Sequence, residues 1–306
     1  MSKLLRAGVA GAGSFGRHHA RIYAGLAGVQ FSGVYDPHIE RAQVLAVEHG
    51  GRGFDDLHLL LDDIDILTIA SPATTHAAIA LAALRAGKAV YVEKPIATTL
   101  RDADKLLEAA AKAGAVLACG LQERVASKAM GLLDVPETPT YLEAVRRGVW
   151  SPRNADVSTV LDLMIHDIDL ALTLNPAAPL AVEAEGQVTH GPLLDEVRAE
   201  ITLDDGSTII LEASRIAEHR ERRMRVVYPS GEVEIDFVTR AFRNTTPFPL
   251  DADFTDTPAG QNPLAASVEA FVAAVRGEAA RPAVTGEEAA RALDLALAVE
   301  QACEAG

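Results

Sequence analysis

Between residues 160 and 170 the chain carries three side chains of the types and spacing that proton chemistry needs. Asp162, His166 and Asp169 stand four and three residues apart, which brings side chains onto one face of a helix. The rest of the stretch from Ser158 to Leu174 is apolar nearly all the way round, with Val160, Leu161, Leu163, Met164, Ile165, Ile168, Leu170 and Leu172. A helix of that composition is normally buried, and buried ionisable groups are costly unless paired or used. A histidine in such a stripe suits reversible proton transfer at neutral pH. Two other readings stay open: an i,i+4 contact between Asp162 and His166 at a domain seam, and a carboxylate-imidazole metal site.

A second candidate, Lys94, lies just past a short strand and directly before Pro95. Its ammonium could polarise an alcohol or carbonyl oxygen, the alternative being a solvated loop lysine. A third candidate is the run Gly11-Ala12-Gly13-Ser14-Phe15-Gly16, with an apolar strand before it and a helix after. Glycines there allow a tight turn and the close approach of a pyrophosphate to the helix N-terminus. Asp36 follows Gly16 by 20 residues, at the end of the next strand. A carboxylate in that place holds adenosine ribose hydroxyls and repels a 2′-phosphate, which favours NAD over NADP without excluding the latter. Asp36-Pro37 also reads as a simple turn and helix start.

These candidates need elements to position them. The spacing predicts strands over 4–10, 29–35, 50–54, 65–70, 89–93 and 115–119. Helices are predicted between them, to about Ala27 and over 37–48, 56–61, 74–86 and 99–113. Such alternation makes a doubly wound parallel sheet, whose ligands lie at the carboxyl ends of the strands. Those ends carry Gly11, Asp36, Ser71-Pro72, Glu93-Lys94-Pro95 and Gly120-Leu121-Gln122. After about Gly120 the pattern changes to strands over 141–149, 181–189, 197–203, 208–214, 224–228 and 233–238. Turns at Asp204-Asp205-Gly206-Ser207 and Pro229-Ser230-Gly231 connect them as hairpins. Runs of strands with few helices predict an α+β domain with a large, mostly antiparallel open sheet. One regular helix from Ser158, capped by Ser158 and stopped at Asn175-Pro176, would cover that sheet and face the cofactor crevice. Two helices, about 263–275 and 286–302, end the chain. The expected fold class is therefore α/β, an N-terminal Rossmann domain over 1–120 followed by the α+β domain over 121–306.

Composition narrows the partners. The chain has 306 residues, 28 basic against 43 acidic, for a formal charge of -15. That balance argues against nucleic-acid or anionic-membrane binding. The two cysteines, Cys119 and Cys303, lack metal-type spacing and fit a reducing, cytoplasmic setting. No apolar stretch approaches the length of a membrane span.

Taken together, GAGSFG at 11–16, SPATTH at 71–76, AGKAVYVEKP at 86–95 and LDLMIHDIDL at 161–170 resemble one family. It is the oxidoreductase family named for glucose-fructose oxidoreductase, inositol dehydrogenase and the rhizopine catabolism protein. The resemblance implies a nicotinamide-dependent dehydrogenase acting on CH-OH, with Lys94, His166 and Asp162 catalytic and no metal. It places cofactor contacts at Gly11, Gly13, Ser14, Phe15, Gly16, Asp36, Ser71, Pro72, His76, Glu93, Lys94 and Gln122. It also implies a homodimer or homotetramer through the C-terminal sheet.

The run DVSTVLDLMIHDIDL behind Arg153 further resembles the subgroup acting on UDP-N-acetylglucosamine or its uronate at the sugar 3-hydroxyl. That subgroup carries Gly-His-x-Glu-Arg-Phe-Asn-Pro after the last strand of the first domain. Here Gly120, Glu123 and Arg124 match, while Leu121, Val125, Ala126 and Ser127 do not. Arg124, Arg153 and Asp169 are the expected substrate contacts, with Arg146 a further candidate for a diphosphate. The alternatives are a dehydrogenase of free sugars or inositols, a glycosidase using tightly held NAD, and a non-catalytic cofactor-sensing protein.

Overall fold

The computed structural model describes residues 4–151, 156–239 and 241–305; Arg153, an expected substrate contact, lies outside them. The chain divides into two compact units, Met1–Leu121 with Leu264–Ala290, and Gln122–Pro263 with Arg291–Gly306.

The first unit holds six parallel strands: β1 (Leu5–Ala10), β2 (Val29–Tyr35), β3 (Arg52–Phe54), β4 (Ile66–Ile69), β5 (Ala89–Val92) and β6 (Leu117–Cys119). Their order is β3-β2-β1-β4-β5-β6, the doubly wound arrangement with its switch point between β1 and β4. β4 and β5 are buried at every residue, as a strand covered on both faces must be. Helices α1 (Ser14–Gly25), α2 (Ile39–Glu48), α3 (Leu57–Asp62), α4 (Ala73–Arg85) and α5 (Leu100–Ala113) make the crossovers. α5 starts where the Thr99 hydroxyl accepts the Asp102 N–H and stops at Gly114, φ +59°.

The sequence reading assigned all of 121–306 to the second domain, yet Leu264–Ala290 groups with the first unit. Its physical reason is burial. Val268, Phe271 and Val272 join the core cluster of Val9, Val34 and Tyr91, and the Tyr91 hydroxyl lies 3.0 Å from Ser267 Oγ. The segment also covers the sheet edge, since Cys119 N–H donates to the Val284 carbonyl at 3.2 Å.

The second unit is built on β7 (Tyr141–Arg147), β8 (Pro179–Gln187), β9 (Glu196–Leu203), β10 (Thr208–Ser214), β11 (Glu221–Tyr228), β12 (Gly231–Asp236) and β13 (Phe242–Asn244). The order is β13-β12-β11-β7-β10-β9-β8. All pairings are antiparallel except β7 with β10. Alternation along β7 buries Leu142, Ala144 and Arg146 on one face. The two expected hairpin turns join β9 to β10 and β11 to β12.

Helix α6 (Glu123–Met130) was not expected; eight residues are too few for a clear period, and Gly131 at φ +84° ends it. The expected single helix from Ser158 is also not regular. Its first part is a π-helical turn, Val160–Met164, where Ile165 N–H reaches back to the Val160 carbonyl, and α7 (Ile165–Leu174) continues from it. Ser158 does cap it, its hydroxyl accepting the Val160 and Leu161 N–H groups at 3.2 Å. Short α8 (Pro258–Gln261), then α9 (Pro263–Val275) and α10 (Gly286–Ala305), complete the chain.

Candidate active site

In the first unit the glycine loop fits a dinucleotide for steric reasons. Gly11 has φ +107°, and a Cβ there would come 2.5 Å from the Ala70 carbonyl oxygen at the end of β4. A Cβ on Gly16 would lie 1.9 Å from the Gly11 carbonyl oxygen. Gly13 precedes α1, a Cβ on it would meet nothing within 4 Å, and no side chain caps the helix. The first N–H groups of α1 are therefore approachable by an anion at the positive end of the helix.

Asp36 sits beside this loop, 9% exposed. Its Oδ2 accepts the Ala12 N–H and its Oδ1 the His38 N–H, each at 2.9 Å. The turn expected at Asp36-Pro37 is formed, one oxygen shaping the start of α2, while the other bonds the glycine loop. Each carboxylate oxygen has further acceptor capacity, which the expected ribose contact requires.

The ends of β4 and β5 are tied together by His76. Its ring is 2% exposed, with Nδ1 2.8 Å from the Pro95 carbonyl and Nε2 2.9 Å from the Ser71 carbonyl. One imidazole thus clamps the Ser71-Pro72 turn to the cis Lys94-Pro95 turn. Glu93 turns inward, 6% exposed, its Oε1 2.7 Å from His19 Nε2 on α1. Gly120 makes room for it, since a Cβ there would lie 2.7 Å from Glu93 Oε2. Lys94 is half-buried and Ser14 and Phe15 are exposed. The unit thereby gathers Gly11, Asp36, Ser71, His76, Glu93 and Lys94 at the carboxyl ends of β1, β2, β4 and β5. Gln122, also an expected cofactor contact, stands at the head of α6.

In the second unit Asp162 lies on the π-helical turn, 7% exposed. His166, the second residue of α7, is half-buried. π-turns inside helices are frequent at functional sites. Asp169 departs from the expected open stripe: Arg124 Nε donates to its Oδ2 at 3.1 Å, and Nη2 donates to Oδ1. Both residues are buried, so this arginine and carboxylate serve each other.

Asp167, which the spacing did not single out, is 4% exposed. It accepts two hydrogen bonds from Arg146, at 2.9 and 2.8 Å, while Arg146 Nη1 donates to Glu123 Oε1 at 2.9 Å. Burial opposes the Arg146 charge, but Asp167 and Glu123 outweigh it and hold the guanidinium firmly protonated. Burial likewise pushes Glu123 up, and Arg146 more than reverses that, leaving its carboxyl below the usual range. Two bidentate Arg-carboxylate pairs of this kind tie α7, which carries His166, to β7 and α6.

The signal for the missed residues was present. His19 falls with Gly16, Ala20 and Tyr23 on the buried face of α1, the i, i+3, i+4, i+7 pattern of a core stripe. Asp167 lies on a helix apolar nearly all round, where any carboxylate must be paired. Among the described residues, no group of three His, Cys, Asp or Glu is placed to hold a metal ion, and no helix is long and apolar enough to cross a membrane.

Residues 5–121 match the oxidoreductase family with an NAD-binding Rossmann fold, and residues 139–234 match the GFO/IDH/MocA C-terminal domain. The chain belongs to this family. Among its relatives is the UDP-N-acetylglucosamine 3-dehydrogenase of Acidithiobacillus ferrooxidans, 36% identical over 98% of each chain. A crystal form of that enzyme superposes with a TM-score of 0.90 at 35% identity, again over 98% of each chain. The scyllo-inositol 2-dehydrogenase (NAD(+)) of Bacillus subtilis is 27% identical over 77% of this chain and 75% of its own. As a GFO/IDH/MocA oxidoreductase, the chain carries an NAD-binding Rossmann domain and is a dehydrogenase. The glycine loop and Asp36 are the parts of that domain suited to the dinucleotide.

Proposed function

We propose that the chain oxidises the ring 3-hydroxyl of a UDP-N-acetylhexosamine, UDP-N-acetylglucosamine first among them, with NAD as acceptor. The single observation that carries this reading is the full-length likeness to the Acidithiobacillus ferrooxidans enzyme. When bound, the dinucleotide supplies the hydride acceptor. The chain's own residues handle the proton and the substrate.

His166 Nδ1 or Nε2 takes the hydroxyl proton as general base. Lys94 hydrogen-bonds the same oxygen and stabilises the charge that develops on it. Asp162, one turn before His166, orients the substrate or the imidazole. The Arg124–Asp169 and Arg146–Asp167 pairs hold the α7 backbone rigid beneath the base. A self-association surface on the β7–β13 sheet and a reducing, cytoplasmic setting, consistent with two free cysteines, belong to the same proposal.

The test is formation of reduced nicotinamide by the NAD-loaded protein with UDP-N-acetylglucosamine, its uronate, free N-acetylglucosamine and inositols, with the oxidised carbon located by NMR. Turnover of the UDP-sugars to a 3-ketone supports the reading. Comparable turnover of inositols selects the dehydrogenase activity that the Bacillus subtilis relative brings to mind. Release of a sugar leaving group without net reduction selects a glycosidase, and no chemistry at all a cofactor-sensing protein. His166→Ala should keep NAD binding and lose roughly 10²–10⁴ in turnover, and Lys94→Ala should lose turnover over the same range.

A further inference from the structure

The helix-covered face of the β7–β13 sheet holds more positive than negative charge at one end. Arg146 of β7 and Arg222 of β11 are register partners on adjacent antiparallel strands. Both stand on the face that buries Leu142, Ala144, Met224 and Val226. Like charges directly opposite one another are destabilising, so each arginine needs compensation. Arg146 has it in full, from Asp167 and Glu123.

Arg222 does not. The nearest carboxylate oxygen is Glu123 Oε1 at 3.8 Å, beyond hydrogen-bond distance and already accepting from Arg146. Only 32% of its side chain is exposed. Arg220, two residues earlier and exposed, adds a third positive charge to a cluster in which Glu123 and Asp167 are the acids acting on Arg222 among the described residues. Burial, then the repulsion of Arg146, brings the Arg222 guanidinium down to about 10. A guanidinium offers five N–H donors in a fork that matches phosphoryl oxygens two at a time. By contrast, the forks of Arg124 and Arg146 are already closed on Asp169 and Asp167.

We propose that Arg222, with Arg220 beside it, binds a phosphoryl group of the substrate's diphosphate. The proposal rests on the nucleotide-sugar reading above and deepens it by naming the residues that hold the nucleotide end. Arg222 is joined through Arg146 to Asp167, the residue after His166, so the anion site and the candidate base share one packed network. A phosphoryl oxygen carrying one negative charge there offsets the single positive charge by which three guanidinium groups exceed two carboxylates.

The test uses the full chain loaded with NAD at fixed ionic strength. Calorimetry measures binding of inorganic diphosphate, with glucuronate as the carboxylate control, and kinetics measure the KM for UDP-N-acetylglucosamine. Wild type should bind diphosphate competitively with the UDP-sugar. Arg222→Gln should weaken both by roughly tenfold or more with a smaller change in kcat, as expected for loss of a charge-assisted bidentate contact. Equal diphosphate affinity and KM in wild type and Arg222→Gln overturns the proposal, as does Arg222-dependent binding of glucuronate but not diphosphate. If Arg222→Gln does not fold, Arg222→Lys carries the test: it keeps the charge, loses the fork and must weaken diphosphate severalfold, and an unchanged affinity overturns the proposal. Arg222-dependent diphosphate binding in a protein that oxidises no UDP-sugar would leave the anion site standing and remove the proposed substrate.

Discussion

His19 Nε2 lies 2.7 Å from Glu93 Oε1, deep in the first unit and one residue before Lys94. An ionised carboxylate only accepts, and opposite it the imidazole Nε2 is the donor. The pair links the helix that follows the glycine loop to the turn that presents the candidate lysine. Removing the imidazole leaves a buried carboxylate without this donor, at a cost of about 1–3 kcal/mol. His19→Ala should lower the urea-unfolding midpoint accordingly and reduce turnover, with His19→Gln recovering part of both. Unchanged stability and turnover in His19→Ala would show that the contact supports neither.

The Asp36 carboxylate bonds the Ala12 N–H of the glycine loop, and we propose that its charge also disfavours a 2′-phosphate. Asp36→Ala should therefore weaken NAD binding and lower the NAD-to-NADP preference by roughly tenfold or more, since discrimination rests on a repulsive element as well as an attractive one. Fluorescence titration of both reduced cofactors measures it. A preference identical to wild type would place the discrimination elsewhere.

Arg146 and Asp167 form a buried, doubly hydrogen-bonded pair. Breaking such a pair from one side leaves an uncompensated charge and costs about 3–5 kcal/mol, whereas replacing both partners by apolar side chains is often close to neutral. Asp167→Leu alone should be strongly destabilised, and the double variant Arg146→Met with Asp167→Leu less so. Urea denaturation of wild type, Arg146→Met, Asp167→Leu and the double variant gives the cycle, and simple additivity would contradict the pairing.

Glu123 gives a pH dependence with a defined sign. Its carboxyl titrates below its ordinary 4.5 in the fold, because Arg146 and Arg222 outweigh the effect of burial. The unfolded chain then binds more protons in the window between the two values, so stability rises with pH there. The contribution is complete above pH 4.5 and is lost as pH falls toward the lower folded value. Glu123→Gln should show a shallower acid limb in melting temperature against pH than wild type. A limb of equal steepness would mean that other carboxylates carry it.

Much of this was legible in the chain because it depends on near neighbours. Strand-helix alternation over the first 120 residues reflects side-chain period and turn residues, and the strands form there with ends within a few residues of expectation. The hairpins at Asp204–Ser207 and Pro229–Gly231 were visible for the same reason. Ser158 could be read as a cap from its place ahead of an apolar helical run, and its hydroxyl does that. By contrast, the helix it caps begins as a π-helical turn, a geometry that an apolar pattern does not distinguish from an α-helix.

Sequence alone carried the family resemblance and the candidates that go with it: a glycine loop before a helix, a carboxylate one strand later, Lys94 before a proline, and Asp162 and His166 four residues apart. Tertiary structure decided which polar groups are committed to one another. Asp169 is closed by Arg124, 45 residues away, Asp167 by Arg146, 21 away, and Glu93 by His19, 74 away. The return of Leu264–Ala290 to the first unit and the meeting of Arg222 with Arg146 across two strands were settled in the same way. A buried charge takes whatever partner the packed chain brings within hydrogen-bond distance. Local spacing can show that a partner is required, but only the folded chain selects it.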